Sequence, residues 1–200
     1  KYLEWLRRQV RDVKVILNCE NIEKEIAEIK PDIVVVAIGA EHDVPDIPGI
    51  ERAVKAVDVL TGKVEVGQKV VILGGGRIGC ELALHLAYTG KDVTILEILP
   101  EIASDVERNY AFALIRELKS RNVKWICNFK AEKIDEDKVI GTSEGKKLEI
   151  AFDSIVLATG MRSRRLEIDF GVPTYKIGDC VKPRKIRDAV YEAVYLASRI

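Results

Sequence analysis

Apolar side chains recur along this chain in two rhythms, and the points where each starts and stops predict most of its elements. Tyr2, Leu3, Leu6 and Val10 fall on one side of a helix over Lys1–Val10, with Arg7, Arg8 and Gln9 mostly on the other. A short strand is expected at Val13–Leu17. Helical spacing returns at Ile22, Ile26 and Ile29 and stops at Pro31, after which the unbroken apolar run Ile33–Ile38 suits a buried parallel strand. Further on come a buried strand, Val70–Leu73, a helix, Ile78–Tyr88, ended by Gly90, and another strand, Val93–Leu96. Ser104 followed by Glu107 predicts a capping box for a helix to about Arg121, with Val106, Tyr110, Ala113, Leu114 and Leu118 as its inner stripe. Short strand-like pieces at Val123–Cys127, Ala131–Ile134, Lys138–Gly141 and Leu148–Ala151, with Glu144-Gly145 as a hairpin turn, predict a small antiparallel flap. Ser154–Ala158 is a further buried strand closing on Thr159-Gly160, and Tyr175–Ile177 and a helix from about Pro183 finish the chain.

This alternation predicts an α/β protein: a Rossmann-like three-layer nucleotide-binding domain with a parallel sheet, helices on one face and the antiparallel flap on the other, flanked by an incomplete second domain. Gly39–Gly49, with its prolines, glycines and charges, has the composition of a connection between units. Composition narrows the picture. With 200 residues, 48% of them hydrophobic, the chain can bury a core as one medium domain or two small ones. Acidic and basic residues number 32 each, so no overall field favours nucleic acid or anionic lipid. The basic run Lys182-Pro183-Arg184-Lys185 is too short to change that. No apolar run approaches the roughly 20 residues of a membrane span, and no secretory signal opens the chain, so a cytoplasmic location is expected. Cys19, Cys80, Cys127 and Cys180 form no C-x-x-C or other metal-binding or redox cluster; Cys80 and Cys180 are expected to be packing residues. His42 and His85 lack partners at ligand or triad spacing and read as structural. Lys1 at the start and Met161 as the sole methionine predict a piece of a longer protein.

The chemistry concentrates in Val70–Glu97. In V-V-I-L-G-G-G-R-I-G-C-E-L-A, the residues Gly74, Gly75, Gly76, Arg77, Ile78 and Gly79 form a glycine fingerprint set directly between strand and helix. Gly74 allows the tight turn, Gly76 a close backbone approach to a pyrophosphate, and Gly79 the packing of helix on strand. The helix N-terminus then presents free N–H groups and the positive end of its dipole to an anion. Glu97 ends the next strand, where a carboxylate accepts from the adenosine ribose hydroxyls. It predicts NAD(H) rather than NADP(H), since a 2′-phosphate would meet like charge and Ile98-Leu99-Pro100 supplies no arginine. Glu81, one turn into the helix, either points toward the nicotinamide or serves as a solvated first-turn acid.

Beyond this fingerprint, the chain carries L-N-C-E (Leu17–Glu20), V-V-A-I-G-A (Val35–Ala40), P-D-I-P-G-I (Pro45–Ile50), D-V-L-T-G-K (Asp58–Lys63), L-E-I-L-P-E-I (Leu96–Ile102), L-A-T-G (Leu157–Gly160) and I-G-D-C-V-K-P-R-K-I (Ile177–Ile186). With these motifs, nearly the whole chain resembles the C-terminal, pyridine-nucleotide-disulfide-oxidoreductase-like part of 2-enoate reductases, 2,4-dienoyl-CoA reductases and related NADH:flavin oxidoreductases. The resemblance implies residues 1–52 and 164–200 as two pieces of an incomplete FAD-binding domain and residues 53–163 as an inserted NAD-binding domain. It implies that Gly39 approaches FAD, that Gly178 and Asp179 meet the flavin's ribityl and phosphate region, that Gly160 borders NAD, and that Glu81 lies on the nicotinamide side.

An opening FAD strand with its own glycine fingerprint, and the barrel domain of the family, do not occur in these residues. FAD is therefore expected of an intact enzyme more than of this chain alone, whose partners would be NAD(H) and those further segments. The expected parent is an NADH-dependent flavin oxidoreductase reducing an enoate or enoyl-type substrate, with this chain inactive by itself. The cofactors carry that chemistry, so no catalytic acid, base, nucleophile or metal ligand is assigned. A flavin-dependent disulfide reductase, an NADH oxidase and a non-catalytic nucleotide-binding module remain the alternatives.

Overall fold

The computed structural model describes residues 1–200 and divides them into two compact units, a flanking unit of residues 1–39 and 163–200 and a middle unit of residues 40–162. In chain order the flanking unit supplies α1 (Tyr2–Gln9), α2 (Ile22–Ile29) and β1 (Val34–Val36). The middle unit follows with β2 (Ala40–His42), β3 (Val54–Lys55), α3 (Ala56–Leu60), β4 (Lys69–Leu73), α4 (Arg77–Tyr88), β5 (Asp92–Leu96), α5 (Arg108–Ser120) and β6 (Lys124–Ile126). It continues through β7 (Phe129–Ile134), β8 (Lys138–Ser143), β9 (Lys146–Ala151), β10 (Ser154–Leu157) and β11 (Met161–Ser163), which pairs with β2; β12 (Thr174–Lys176) and α6 (Ile186–Ala197) complete the flanking unit.

The middle unit is the expected three-layer fold. Five parallel strands run in the order β3-β10-β4-β5-β6. Because side chains alternate along a strand, each strand feeds two cores. Val70 and Ile72 of β4, Val93 and Ile95 of β5 and Val156 of β10 pack with Cys80, Leu82, Leu86, Leu114 and Leu118 of the helices. Val71, Leu73, Leu96, Ile155 and Leu157 face the other way, onto Phe129, Ile134, Val139 and Phe152. The antiparallel sheet β7-β8-β9 is the flap, turned at Glu144-Gly145, where both residues have positive φ as a tight hairpin requires. Helix α4 ends as its sequence suggests: Gly90 N donates to Ala87 O and Lys91 N to Leu86 O, with Gly90 at φ 82°. At the N-terminal rim of the sheet, Asp153 Oδ2 accepts from the amides of Gln68 and Lys69, and Ser154 Oγ accepts from Gly67 N.

Four expectations change. Residues 40–52 pack with the middle unit, because Ile47 and Ile50 lie against the flap-side core and Pro48 O accepts from Ile134 N; the division falls at Gly39–Ala40. Val123–Cys127 is not flap: its central residues form β6, an edge of the parallel sheet, in register with Thr94–Leu96. Helix α5 is capped by Glu107, whose carboxylate accepts from Asn109 N and Tyr110 N, rather than by a box starting at Ser104. The turn before it is already committed, since Ala103, at φ 57°, donates its N–H to Gly75 O at 2.7 Å. Finally, Val13–Leu17 is irregular and exposed, having no strand to pair with.

The flanking unit holds a two-stranded parallel sheet, β1 with β12. Asn21 caps α2 by accepting from Lys24 N, and Lys30 in the left-handed region ends it before Pro31. The run Ile33–Ile38 yields a strand of three residues, of which only Val36 is buried. No helix of the chain is long and apolar enough to cross a membrane.

Candidate nucleotide-binding site

At the C-terminal ends of β4, β5 and β10 the middle unit opens into a cleft of about 640 Å³. Its floor is the fingerprint. Gly74 has φ 104°, and a side chain there would strike the Ala158 carbonyl; a side chain on Gly79 would overlap Gly74 O. Gly79 closes the strand–helix turn from beneath, whereas Gly74 and Gly76 line the cleft. On Gly75 a side-chain carbon would come within 2.7 Å of Ile102 Cγ2 and 3.1 Å of Glu97 Oε2, so the loop after β5 covers this glycine.

Glu97 is 6% exposed, and each of its carboxylate oxygens accepts one backbone N–H, Oε2 from Gly75 N and Oε1 from Leu99 N at 2.8 Å, which leaves a further lone pair on each. A buried charge needs such donors to offset its lost hydration. Glu97 thus braces the glycine turn and still lines the cleft beside Ile98 and Leu99, two exposed apolar side chains. Lys130 of the flap lines the cleft too, and Asp43 and Asp46 line it together with Thr159 and Gly160. Gly160 has φ 102°, and its carbonyl accepts from Asp43 N at 3.0 Å.

The structure therefore brings together Gly74, Gly76, Arg77, Ile78, Glu97 and Gly160 around one cleft, with Gly75 and Gly79 as its packed underside. Glu81 stands apart from that lining. Its Oε1 accepts from Arg77 Nε at 2.9 Å and from the Tyr110 hydroxyl at 2.8 Å, while the Arg77 guanidinium lies over the Tyr110 ring. Hydrogen bonding to Glu81 raises both the Arg77 and Tyr110 pKa values. Glu81, the fifth residue of α4, thus lies past the first turn and is paired with Arg77 and Tyr110, outside the cleft lining. Cys80, directly after Gly79, is a packing thiol: burial pushes its pKa up to about 12, and its Sγ donates to Gly75 O.

In the flanking unit, Gly39 and Gly178 follow the C-terminal ends of the paired strands β1 and β12, where Ile177 N donates to Val36 O. Gly178 N donates to Glu192 Oε2 at 2.7 Å and Asp179 Oδ1 accepts from Arg184 N at 3.1 Å. Glu192 is held below the usual carboxylate range, first by Arg184 and then by the Gly178 amide. A positive φ of 72° at Gly39, with open space where a side chain would be, leaves its backbone accessible.

The sequence reading missed Lys130, Asp43, Asp46 and Asp105 as cleft residues. P-D-I-P-G-I was a usable signal for Asp46, but nothing in the spacing of Asn128-Phe129-Lys130 tells which side of a flap strand reaches the cleft.

A family profile described as pyridine nucleotide-disulphide oxidoreductase matches residues 6–197, nearly the whole chain. The chain belongs to the pyridine nucleotide-disulphide oxidoreductase family. Among curated members it is 32% identical to the cinnamate reductase of Clostridium sporogenes over 99% of this chain and 31% of that protein. To the NADH oxidase of Thermoanaerobacter brockii it is 32% identical over 100% of this chain and 33% of that protein. A solved structure of 2-naphthoyl-CoA reductase matches all of the chain and 32% of that protein with a TM-score of 0.84 and 30% identity. This family member thus spans about a third of the length of these relatives. A cinnamate reductase, of the enoate-reductase kind that the sequence motifs implied, and an NADH oxidase are among its relatives, and its fold is that of 2-naphthoyl-CoA reductase.

Proposed function

We propose that the chain is the NAD(H)-binding part of a flavin-dependent oxidoreductase, in which NADH gives a hydride to FAD and the intact enzyme reduces an enoate or enoyl-type carbon–carbon bond. The carrying observation is the buried Glu97 carboxylate, tied to Gly75 N and Leu99 N at the wall of a glycine-floored cleft. That geometry fits the ribose and pyrophosphate of a dinucleotide: bare glycine backbone at Gly74 and Gly76, a helix N-terminus for the anion, and a carboxylate for ribose hydroxyls. NAD(H) would supply hydride chemistry; the chain's residues bind, orient and shield it. Gly160 and Thr159 border the same cleft beyond the fingerprint, on the side away from Ile98 and Leu99 in this reading. Gly39, Gly178 and Asp179 would contribute to an FAD site completed by further segments of the intact enzyme, and the names of the reductase relatives favour an enoyl-type substrate.

The test is a calorimetric titration with NADH and NADPH, with a visible absorption scan for bound flavin. NADH binding at least tenfold tighter than NADPH is the expected result, and equal affinities would remove Glu97 from the role of selector. Glu97→Arg should reverse the preference, provided its melting temperature shows that the braced turn survives. A second reading, an NADH oxidase, rests on the Thermoanaerobacter brockii relative. Flavin reoxidation rates of the intact enzyme with an enoate and with oxygen decide between the two.

A further inference from the structure

The first N–H of the fingerprint helix α4 already has a partner. Arg77 N donates to Asp105 Oδ1 at 2.8 Å, and a side-chain carbon placed on Gly76 would lie 3.3 Å from Asp105 Oδ2. The carboxylate therefore lies across the bare glycine face, within the same cleft that Gly76, Arg77 and Glu97 line. It is delivered there by a fixed turn: Ile102 and Ala103 are buried, and Ala103 N donates to Gly75 O. Had α5 begun at Ser104, as its sequence suggested, Asp105 would lie on that helix instead. A carboxylate at this point interacts favourably with the helix dipole, in the manner of any anion.

Resting on the nucleotide-binding reading above, we propose that Asp105 is a resident anion at the pyrophosphate position, which a dinucleotide displaces in order to bind. Asp105 is exposed, so its carboxylate leaves by rotating into water while the buried turn behind it stays in place. The exchange keeps the hydrogen bonds balanced: Arg77 N passes from a carboxylate oxygen to a phosphate oxygen. A single free phosphate competes poorly with a tethered carboxylate, whereas a diphosphate anchored through its nucleoside at Glu97 competes well. Asp105 thereby acts as a specificity residue, lowering affinity for phosphate groups in general and leaving the cleft open to ligands held at both ends.

The experiment titrates the chain and its Asp105→Asn variant with NADH, ADP-ribose and adenosine, and records melting temperatures. Asp105→Asn should bind NADH and ADP-ribose about tenfold tighter, leave adenosine unchanged, and melt no higher than the parent, because one like charge is gone while the helix loses a dipole partner. A residue that merely supports the loop would give weaker binding with the lower melting temperature, and that result, or unchanged affinity, overturns the proposal. If neither protein binds NADH, the nucleotide reading itself falls; if both bind it equally, only the role of Asp105 does. Should the variant misfold, amide NMR of the unaltered chain decides. The Arg77 amide resonance should move with ADP-ribose and hold still with adenosine, and an Arg77 resonance indifferent to saturating ADP-ribose overturns the displacement.

Discussion

Strands β1 and β4 are spelled almost alike, Val34-Val35-Val36 against Val70-Val71-Ile72-Leu73, yet they end in different surroundings. Strand β4 has a parallel neighbour on each side and a core on each face, and none of these four residues is more than 4% exposed. Strand β1 has β12 alone, and Val35 is 43% exposed. The same contrast holds for the whole units: in the flanking unit only Val36 and Cys180 are buried apolar residues, while the middle unit carries two filled layers. An apolar run thus states a demand for cover, and whether this chain meets that demand depends on how many of its own elements arrive at the same place.

The two units should respond differently to substitution. Gly79→Val should act most strongly, since its side chain would overlap Gly74 O and push α4 off β4. A loss of about 3 kcal/mol in urea unfolding, with NADH binding abolished, is expected. Ile72→Ala removes fully buried groups between β4 and α4 and should cost about 3 kcal/mol, whereas Val35→Ala in β1 should cost below about 1 kcal/mol. Equal losses at the two strands would end the distinction between the units.

Alkaline pH gives a third, smaller effect, confined to the middle unit. The Cys80 thiol has an ordinary value of 9.0 and is pushed up to about 12 by burial. The unfolded chain then loses this proton first as pH rises, so the group's contribution to stability is whole below about pH 9 and declines as pH climbs toward 12. Melting temperature between pH 8 and 11 should fall more steeply for the parent than for Cys80→Ala. The smallest effect belongs to the flanking unit: Leu17→Ser, at a side chain 79% exposed, should stay within about 0.5 kcal/mol in the same unfolding assay.

Sequence periodicity located β4, α4, β5, α5 and the flap hairpin because each of them satisfies its pattern with neighbours in the same unit. It failed at Val13–Leu17, where β-prone residues find no partner strand, and at Val123–Cys127, where a short apolar piece does not encode whether its partner is a flap or a parallel edge. The candidate site was legible where backbone geometry demands particular residues, at Gly74, Gly76, Gly79 and the strand-ending Glu97. Asp105 was illegible because Ser104 and Glu107 imitate a capping box. The turn that overrides it depends on Ala103 adopting a left-handed conformation against Gly75, a tertiary contact without local signature.

The seam at the N-terminal rim of the parallel sheet bears on how this protein breathes. With Asp153 holding two amides and Ser154 a third, the ends of β4 and β10 are sewn together where they enter the sheet, and their opposite ends carry the glycine turns. The opposite rim is tied too, by Gly74 N to Leu96 O, by Ala158 N to Leu73 O and by the Glu97 carboxylate, but it borders the open cleft, so brief openings should begin at that mouth. Occupancy of that mouth would quiet the cleft end first, and hydrogen exchange would slow at Gly75, Arg77 and Leu99 long before it changed at Gln68 or Lys69.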